Sequence, residues 1–202
     1  MLVLMQRITE DPERFLAECA RVSRRGDCRQ DCKDKDRATI SRLIRDGHES
    51  VLEHASATFL IEGISRCCMA QLLRHRHLSA TVESQRYCDM SGLSLKDMVY
   101  PETVEESTAW EEADEAVGAC LEAYQALIKA GVPLEDARYF LPQASPTRLV
   151  VTANFREWRH IIKLRTAPEA QWEIRKLVGK IQDILVKHAP SVFGGNDEAG
   201  DG

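Results

Sequence analysis

Arg74-His75-Arg76-His77-Leu78-Ser79-Ala80-Thr81-Val82-Glu83-Ser84-Gln85-Arg86-Tyr87 is the densest stretch of anion-binding chemistry in the chain. From Ile64 to Tyr87 four arginines (Arg66, Arg74, Arg76, Arg86) stand against a single acid, Glu83, although the chain as a whole carries a formal charge of −5. Cations at a helix end complement the macrodipole by about 0.3–1 kcal/mol, which accounts for one or two of them. It does not account for four consecutive basic or imidazole residues followed by Ser79, Thr81, Ser84, Gln85 and Arg86. Charge this local marks a site.

The rest of the composition narrows what that site binds. At 202 residues, 44% hydrophobic and 29% charged, the chain is long enough for one domain with a buried core. We expect that domain to span 1–193, followed by a flexible C-terminal tail, 194–202. A pI near 5.7 argues against a general nucleic-acid binder. Residues Met1 to Ile8 lack the charged region and long apolar run of a secretory signal, and no stretch reaches the roughly 18 apolar residues of a membrane span. The expectation is a cytoplasmic protein with no membrane and no nucleic-acid partner. Seven scattered cysteines fit reduced thiols. Cys28-x-x-x-Cys32 lacks a second ligand pair, so no metal is expected.

Upstream of the run, Leu2–Ile8 is apolar and strand-like, and Asp11-Pro12 opens a helix to about Val22. Ser23 closes it. A polar loop, Gly26 to Asp36, precedes a helix over Arg37–Asp46, with Gly47 at its C-terminal end. Ala55–Glu62 reads as a strand ended by Gly63, and Ile64–Arg74 as a helix.

Downstream, Asp89 to Pro101 is a connection. The longest helical pattern runs from Glu102 to Ala130 and is scaffold, its acids a solvated face. Pro133–Leu141 is a short helix carrying Arg138, and Leu149–Ala153 is a second strand. Asn154–Arg165 is helical with Phe155, Trp158, Ile161 and Ile162 on one face. Arg165 shares that face, where a guanidinium is costly without an anion or a good acceptor. Arg156 and His160, four apart, can reach one ligand. Ala170–Ala189 is a last helix, and the chain from Phe193-Gly194-Gly195-Asn196 onward reads as mobile.

The candidate site therefore draws arginines from four segments: Arg74, Arg76 and Arg86; Arg138; Arg156; Arg165. Their planar forks suit phosphate oxygens. There is no Ser-His-Asp order, no Gly-x-Gly-x-x-Gly, no Walker A and no His-Glu-x-x-His. A metal-dependent hydrolase built on His48, His54, His75, His77 and His160 is one alternative, and a non-catalytic nucleotide-binding protein is another.

Arg74-His75-Arg76, seven residues, then Ser84-Gln85-Arg86 resembles the signature of the flavin-dependent thymidylate synthases. Ala20-Arg21-Val22-Ser23, Gly47-His48-Glu49-Ser50 with Glu53-His54, Gln71, Gly131-Val132-Pro133 with Ala137-Arg138, and Asn154-Phe155-Arg156 through Leu164-Arg165 resemble that family's other blocks, in its order. The resemblance implies an α+β fold with a central, mostly antiparallel sheet flanked by helices, and a homotetramer whose subunits share active sites.

It also implies roles. FAD would be held by Ser23, Ser50, Glu53, Arg74, His75, Arg76, Asn154, Arg156 and His160. Deoxyuridine monophosphate (dUMP) would be held by Gln71, Arg74, Ser84, Gln85, Arg86, Arg138 and Arg165, with Arg165 catalytic. FAD would be reduced by NADPH, and methylenetetrahydrofolate would donate the carbon of the new methyl group. Ser84 has no histidine placed by sequence to activate it, so it reads as a substrate contact rather than a nucleophile. The chain departs from the family at Thr81 and Val82, where polar residues are frequent, and in its short stretch between Tyr87 and Glu102.

Overall fold

The computed structural model describes residues 1–23 and 32–195. Four strands, β1 (Leu2–Ile8), β2 (Ser56–Ser65), β3 (Ser79–Val82) and β4 (Pro146–Asn154), pair antiparallel in the order β1-β2-β4-β3. Helices flank them, giving the α+β architecture that the resemblance implied. On β4, Thr147, Leu149, Val151 and Ala153 are buried at alternate positions while their neighbours are not, the period-2 pattern of a pleated strand.

The helices are α1 (Pro12–Val22), α2 (Lys33–Arg45), α3 (Arg66–Leu72), α4 (Glu102–Glu105), α5 (Trp110–Lys129), α6 (Leu134–Ala137), α7 (Phe155–Arg165), α8 (Trp172–His188) and α9 (Pro190–Phe193). None described is long and apolar enough to cross a membrane.

Several boundaries differ from the sequence reading. β2 does not end at Gly63, which takes a left-handed φ of 70° and lets the strand run on to Ser65. A Cβ at Gly63 would stand 3.3 Å from the Met1 nitrogen, so glycine is needed for space as well as for φ. Ser65 then accepts the Cys68 N–H at 3.0 Å and caps α3, which therefore begins at Arg66 and stops at Leu72.

β3 lies inside the signature run, where no strand was expected. Its pairing is tertiary: the Glu83 N–H donates to Arg148 O at 2.9 Å just past its end. The long 102–130 helix is broken into α4 and α5 around Ser107 and Thr108, short hydroxyl residues that compete for the backbone. α2 starts four residues early, with Asp34 and Asp36 in its first turn, and Glu49–His54 forms a 3-10 turn.

By contacts the chain forms two compact units, one of residues Met1–Leu2, Ile61–Arg74 and Thr81–Leu149, the other of Val3–Leu60, His75–Ala80 and Val150–Gly202. In the first, Tyr124 packs with Met90 and Ala137, and its hydroxyl accepts the Met90 N–H at 3.1 Å. In the second, Trp158 is fully buried, stands edge-on to Phe59 with 5.2 Å between ring centroids, and donates from Nε1 to Ala57 O at 3.1 Å. Phe193, read as the start of a mobile tail, is buried edge-on to Phe155. Most of the tail, 196–202, and Cys28 lie outside the described residues.

Candidate functional site

Asn154 ends β4 and caps α7, its Oδ1 accepting the Glu157 N–H at 2.8 Å. This cap fixes where the helix begins, and therefore which way Arg156, His160 and Arg165 point. Arg156 reaches Glu53 on the 3-10 turn, Nη1 to Oε1 at 2.5 Å. One helical turn on, Arg159 donates to Glu49 Oε1 at 3.3 Å and to Val192 O, tying that turn to α9.

These residues wall a cavity of about 1250 Å³, lined among others by Glu53, Asn154, Arg156, Glu157, His160 and Lys163. Of the nine residues that the resemblance implied for FAD, Glu53, Asn154, Arg156 and His160 thus line one space. Arg76 and Ser50 are exposed in the same unit. Ser23 is exposed too, its Oγ donating to Ala20 O at 2.9 Å as an ordinary helix-end serine.

His75 is the buried member of the signature run, 7% exposed. Its Nε2 accepts from Arg165 Nε at 3.0 Å, its Nδ1 stands 3.6 Å from Glu157 Oε1, and its ring lies edge-on to His160 at 5.8 Å between centroids. Burial above all, then the charge of Arg165 and the neighbouring His160, push its pKa down to about 4. The imidazole is neutral at pH 7, so the contact with Glu157 is not an ion pair. Arg165 is half-buried at the last turn of α7, and the acceptor that its position demanded is His75.

The first unit carries Gln71, Arg74, Ser84, Gln85, Arg86 and Arg138. Arg86 meets Glu135 twice, Nε at 2.8 Å and Nη2 at 2.6 Å, while Arg138 donates from Nε to Glu135 O at 3.0 Å. Two of the expected substrate arginines therefore converge on one short segment at the start of α6. Ser84 Oγ accepts the Arg86 N–H at 3.2 Å and shapes the turn that presents Arg86. Arg74 is exposed, and its N–H faces Gln71 O at 3.4 Å. Val82 is half-buried on β3. Arg66 donates to Glu83 O at 3.0 Å, and burial lowers its pKa, with Glu83 opposing and Arg138 reinforcing.

Sequence reasoning missed Glu157, Arg159 and Lys163. An acid three residues into a helix reads as dipole complementation, and only its burial at 8% exposure beside His75 separates it from that class. The hydrolase alternative gains no support: among the described residues no three His, Cys, Asp or Glu side chains are grouped to hold a metal ion, and His75 Nε2 is taken by Arg165.

A family model described as thymidylate synthase complementing protein matches residues 4–191. The flavin-dependent thymidylate synthase of Geobacter sulfurreducens is 38% identical over 198 residues, covering 96% of this chain and 85% of that protein. That of Halobacterium salinarum is 34% identical, covering 96% and 94%. That of Pyrococcus abyssi is 40% identical over 157 residues, and the match spans 64% of its length, just under two thirds. The crystal structure of a flavin-dependent thymidylate synthase from Helicobacter pylori, complexed with FAD and dUMP, superposes with a TM-score of 0.79 at 24% identity, covering 96% of this chain and 98% of that one. The two share a fold.

Proposed function

Because the chain belongs to the family of flavin-dependent thymidylate synthases, the thymidylate synthase complementing proteins, we propose that it converts dUMP to thymidylate, taking the carbon from methylenetetrahydrofolate and reducing equivalents from NADPH. The observation that carries this reading is the cavity where Glu53, Asn154, Arg156 and His160 meet. Its volume of about 1250 Å³ exceeds the 300–1,000 Å³ of ordinary ligand pockets and suits a dinucleotide. Its donors suit one as well: Arg156 and Lys163 can face a diphosphate, Asn154 and His160 can hydrogen-bond, and Glu53 can take a ribose hydroxyl. FAD held there and reduced by NADPH would supply the hydride that completes the methyl group.

The protein's own residues do the rest. Arg86 and Arg138 bind the phosphate of dUMP, with Gln71, Arg74, Ser84 and Gln85 holding the nucleotide. An Arg165, from whichever subunit of the homotetramer supplies it, sets a guanidinium against the uracil ring, where negative charge develops as the carbon–carbon bond forms. His75 holds Arg165 in place, and its own low pKa keeps it from adding a competing positive charge. The enzyme works as a homotetramer in this reading.

The test is direct. Purified protein supplied with FAD, NADPH, methylenetetrahydrofolate and dUMP is expected to form thymidylate, with flavin absorbance retained through gel filtration. Flavin binding without thymidylate would leave the non-catalytic alternative in its place.

A further inference from the structure

Arginine only donates, so the Nε2 atom of His75 that accepts from Arg165 Nε at 3.0 Å carries no proton. A neutral imidazole has one N–H, and here it must be on Nδ1. The carboxylate of Glu157 stands 3.6 Å from that Nδ1, with both side chains shielded from water, 4% and 10% exposed. At this distance the contact is longer than a hydrogen bond, and it acts through the carboxylate's field on the N–H dipole, which low local polarity strengthens. Glu157 also lines the cavity that we assign to FAD.

We propose that Glu157 is a positioning residue for this enzyme: its carboxylate holds His75 in the Nδ1–H tautomer, and His75 so held orients the guanidinium of Arg165. The arrangement repeats the order of a carboxylate, an imidazole and a working group, with the imidazole as relay of geometry rather than of protons. The low pKa of His75 agrees with it, since a protonated ring would have no lone pair to offer Arg165. Removing the carboxylate while preserving bulk lets the ring turn or change tautomer, and Arg165 loses its anchor. The effect on turnover rests on the thymidylate synthase reading; the effect on the tautomer does not.

The experiment combines side-chain ¹⁵N NMR of the full chain, with His75 assigned by its absence in His75→Gln, and steady-state kinetics of the FAD-loaded enzyme. Wild type is expected to show the pure Nδ1–H form. In Glu157→Leu that form is expected to give way to a mixture, with kcat for thymidylate formation, measured at saturating FAD, down at least tenfold. Glu157→Gln, which keeps an acceptor oxygen, is expected to recover most of the rate. Wild-type His75 protonated at Nε2 would overturn the proposal without any variant. So would Glu157→Leu that keeps both the tautomer and the rate. If wild type makes no thymidylate, the functional reading fails, and the tautomer comparison still decides the role of Glu157.

Discussion

Nε of Arg165 donates to Nε2 of His75 across 3.0 Å and ninety residues of sequence, joining the end of α7 to the start of the signature run. The arginine is the group we place against the substrate, and the histidine is the one buried member of a run whose other residues are half-buried or exposed. Replacing Arg165 by alanine is expected to lower kcat/KM for thymidylate formation by at least a hundredfold, in line with loss of one preorganised donor to a developing anion. Flavin binding should survive. Arg165→Lys should not rescue it, because lysine has no Nε–H placed to reach His75. Turnover of either variant within fivefold of wild type would remove Arg165 from the reaction.

The depressed pKa of His75 makes stability depend on pH in a definite direction. Its folded value is about 4 against an ordinary 6.5, so between these the unfolded chain binds more protons. Stability is therefore full above pH 6.5 and falls as pH drops toward 4, by roughly 3 kcal/mol from this group. Urea melts at pH 7 and pH 4.5 measure it, with His75→Gln as the reference lacking the titration. Parallel losses in the two proteins would show that His75 is not the group responsible.

A second consequence concerns the cavity. Arg156 is engaged by Glu53 at 2.5 Å, so each is held ready for a ligand by the other. Arg156→Ala is expected to weaken FAD about tenfold or more, the worth of one charge-assisted contact. The loss should shrink as salt rises, because the pair is exposed to solvent. Fluorescence titration at two ionic strengths reads both effects.

Tyr124→Phe probes the scaffold rather than the chemistry. The hydroxyl satisfies the buried Met90 N–H at 3.1 Å and also faces Asp89 Oδ1 at 3.3 Å. Its removal leaves that N–H unpartnered and is expected to destabilise the fold by about 1–3 kcal/mol. At roughly 2–4 °C per kcal/mol for a chain of this size, a calorimeter resolves it. Thymidylate formation below the melting range should be unchanged.

Much of this was legible in the sequence, for reasons that differ by residue. Periodicity located α7 and α8 to within a residue or two, because their apolar stripes are wide and their ends carry caps. Residue chemistry identified the signature run and the anomaly of Arg165 on an apolar face, and so the need for an acceptor. It could not name His75 as that acceptor, since local rules carry no information about a partner ninety positions away. β3 was missed for the same reason: Ser79 to Val82 becomes a strand by lying beside β4, not by propensity. Gly63 misled in the opposite sense. A glycine inside a strand pattern usually marks an end, and here it marks a close approach to Met1 that the strand passes through.

Glu13 on α1 accepts from Arg37 on α2 at 2.9 Å and from the Ser191 N–H at the start of α9 at 2.7 Å. One carboxylate thus ties the beginning of the chain to a residue near its far end. The unit that contains it is assembled from segments that reach from Val3 to the end of the chain, while the other is complete once residue 149 has been made. On the ribosome these two have different prospects. Residues 61–74 and 81–149 can gain their mutual contacts as they emerge, whereas the unit bearing Glu13 is complete only when α7, α8 and α9 have been made. The cavity walled by Glu53 and Arg156 is then among the last features of the molecule to exist, and a nascent chain stalled before residue 150 lacks the α7 wall of the space we propose for the flavin.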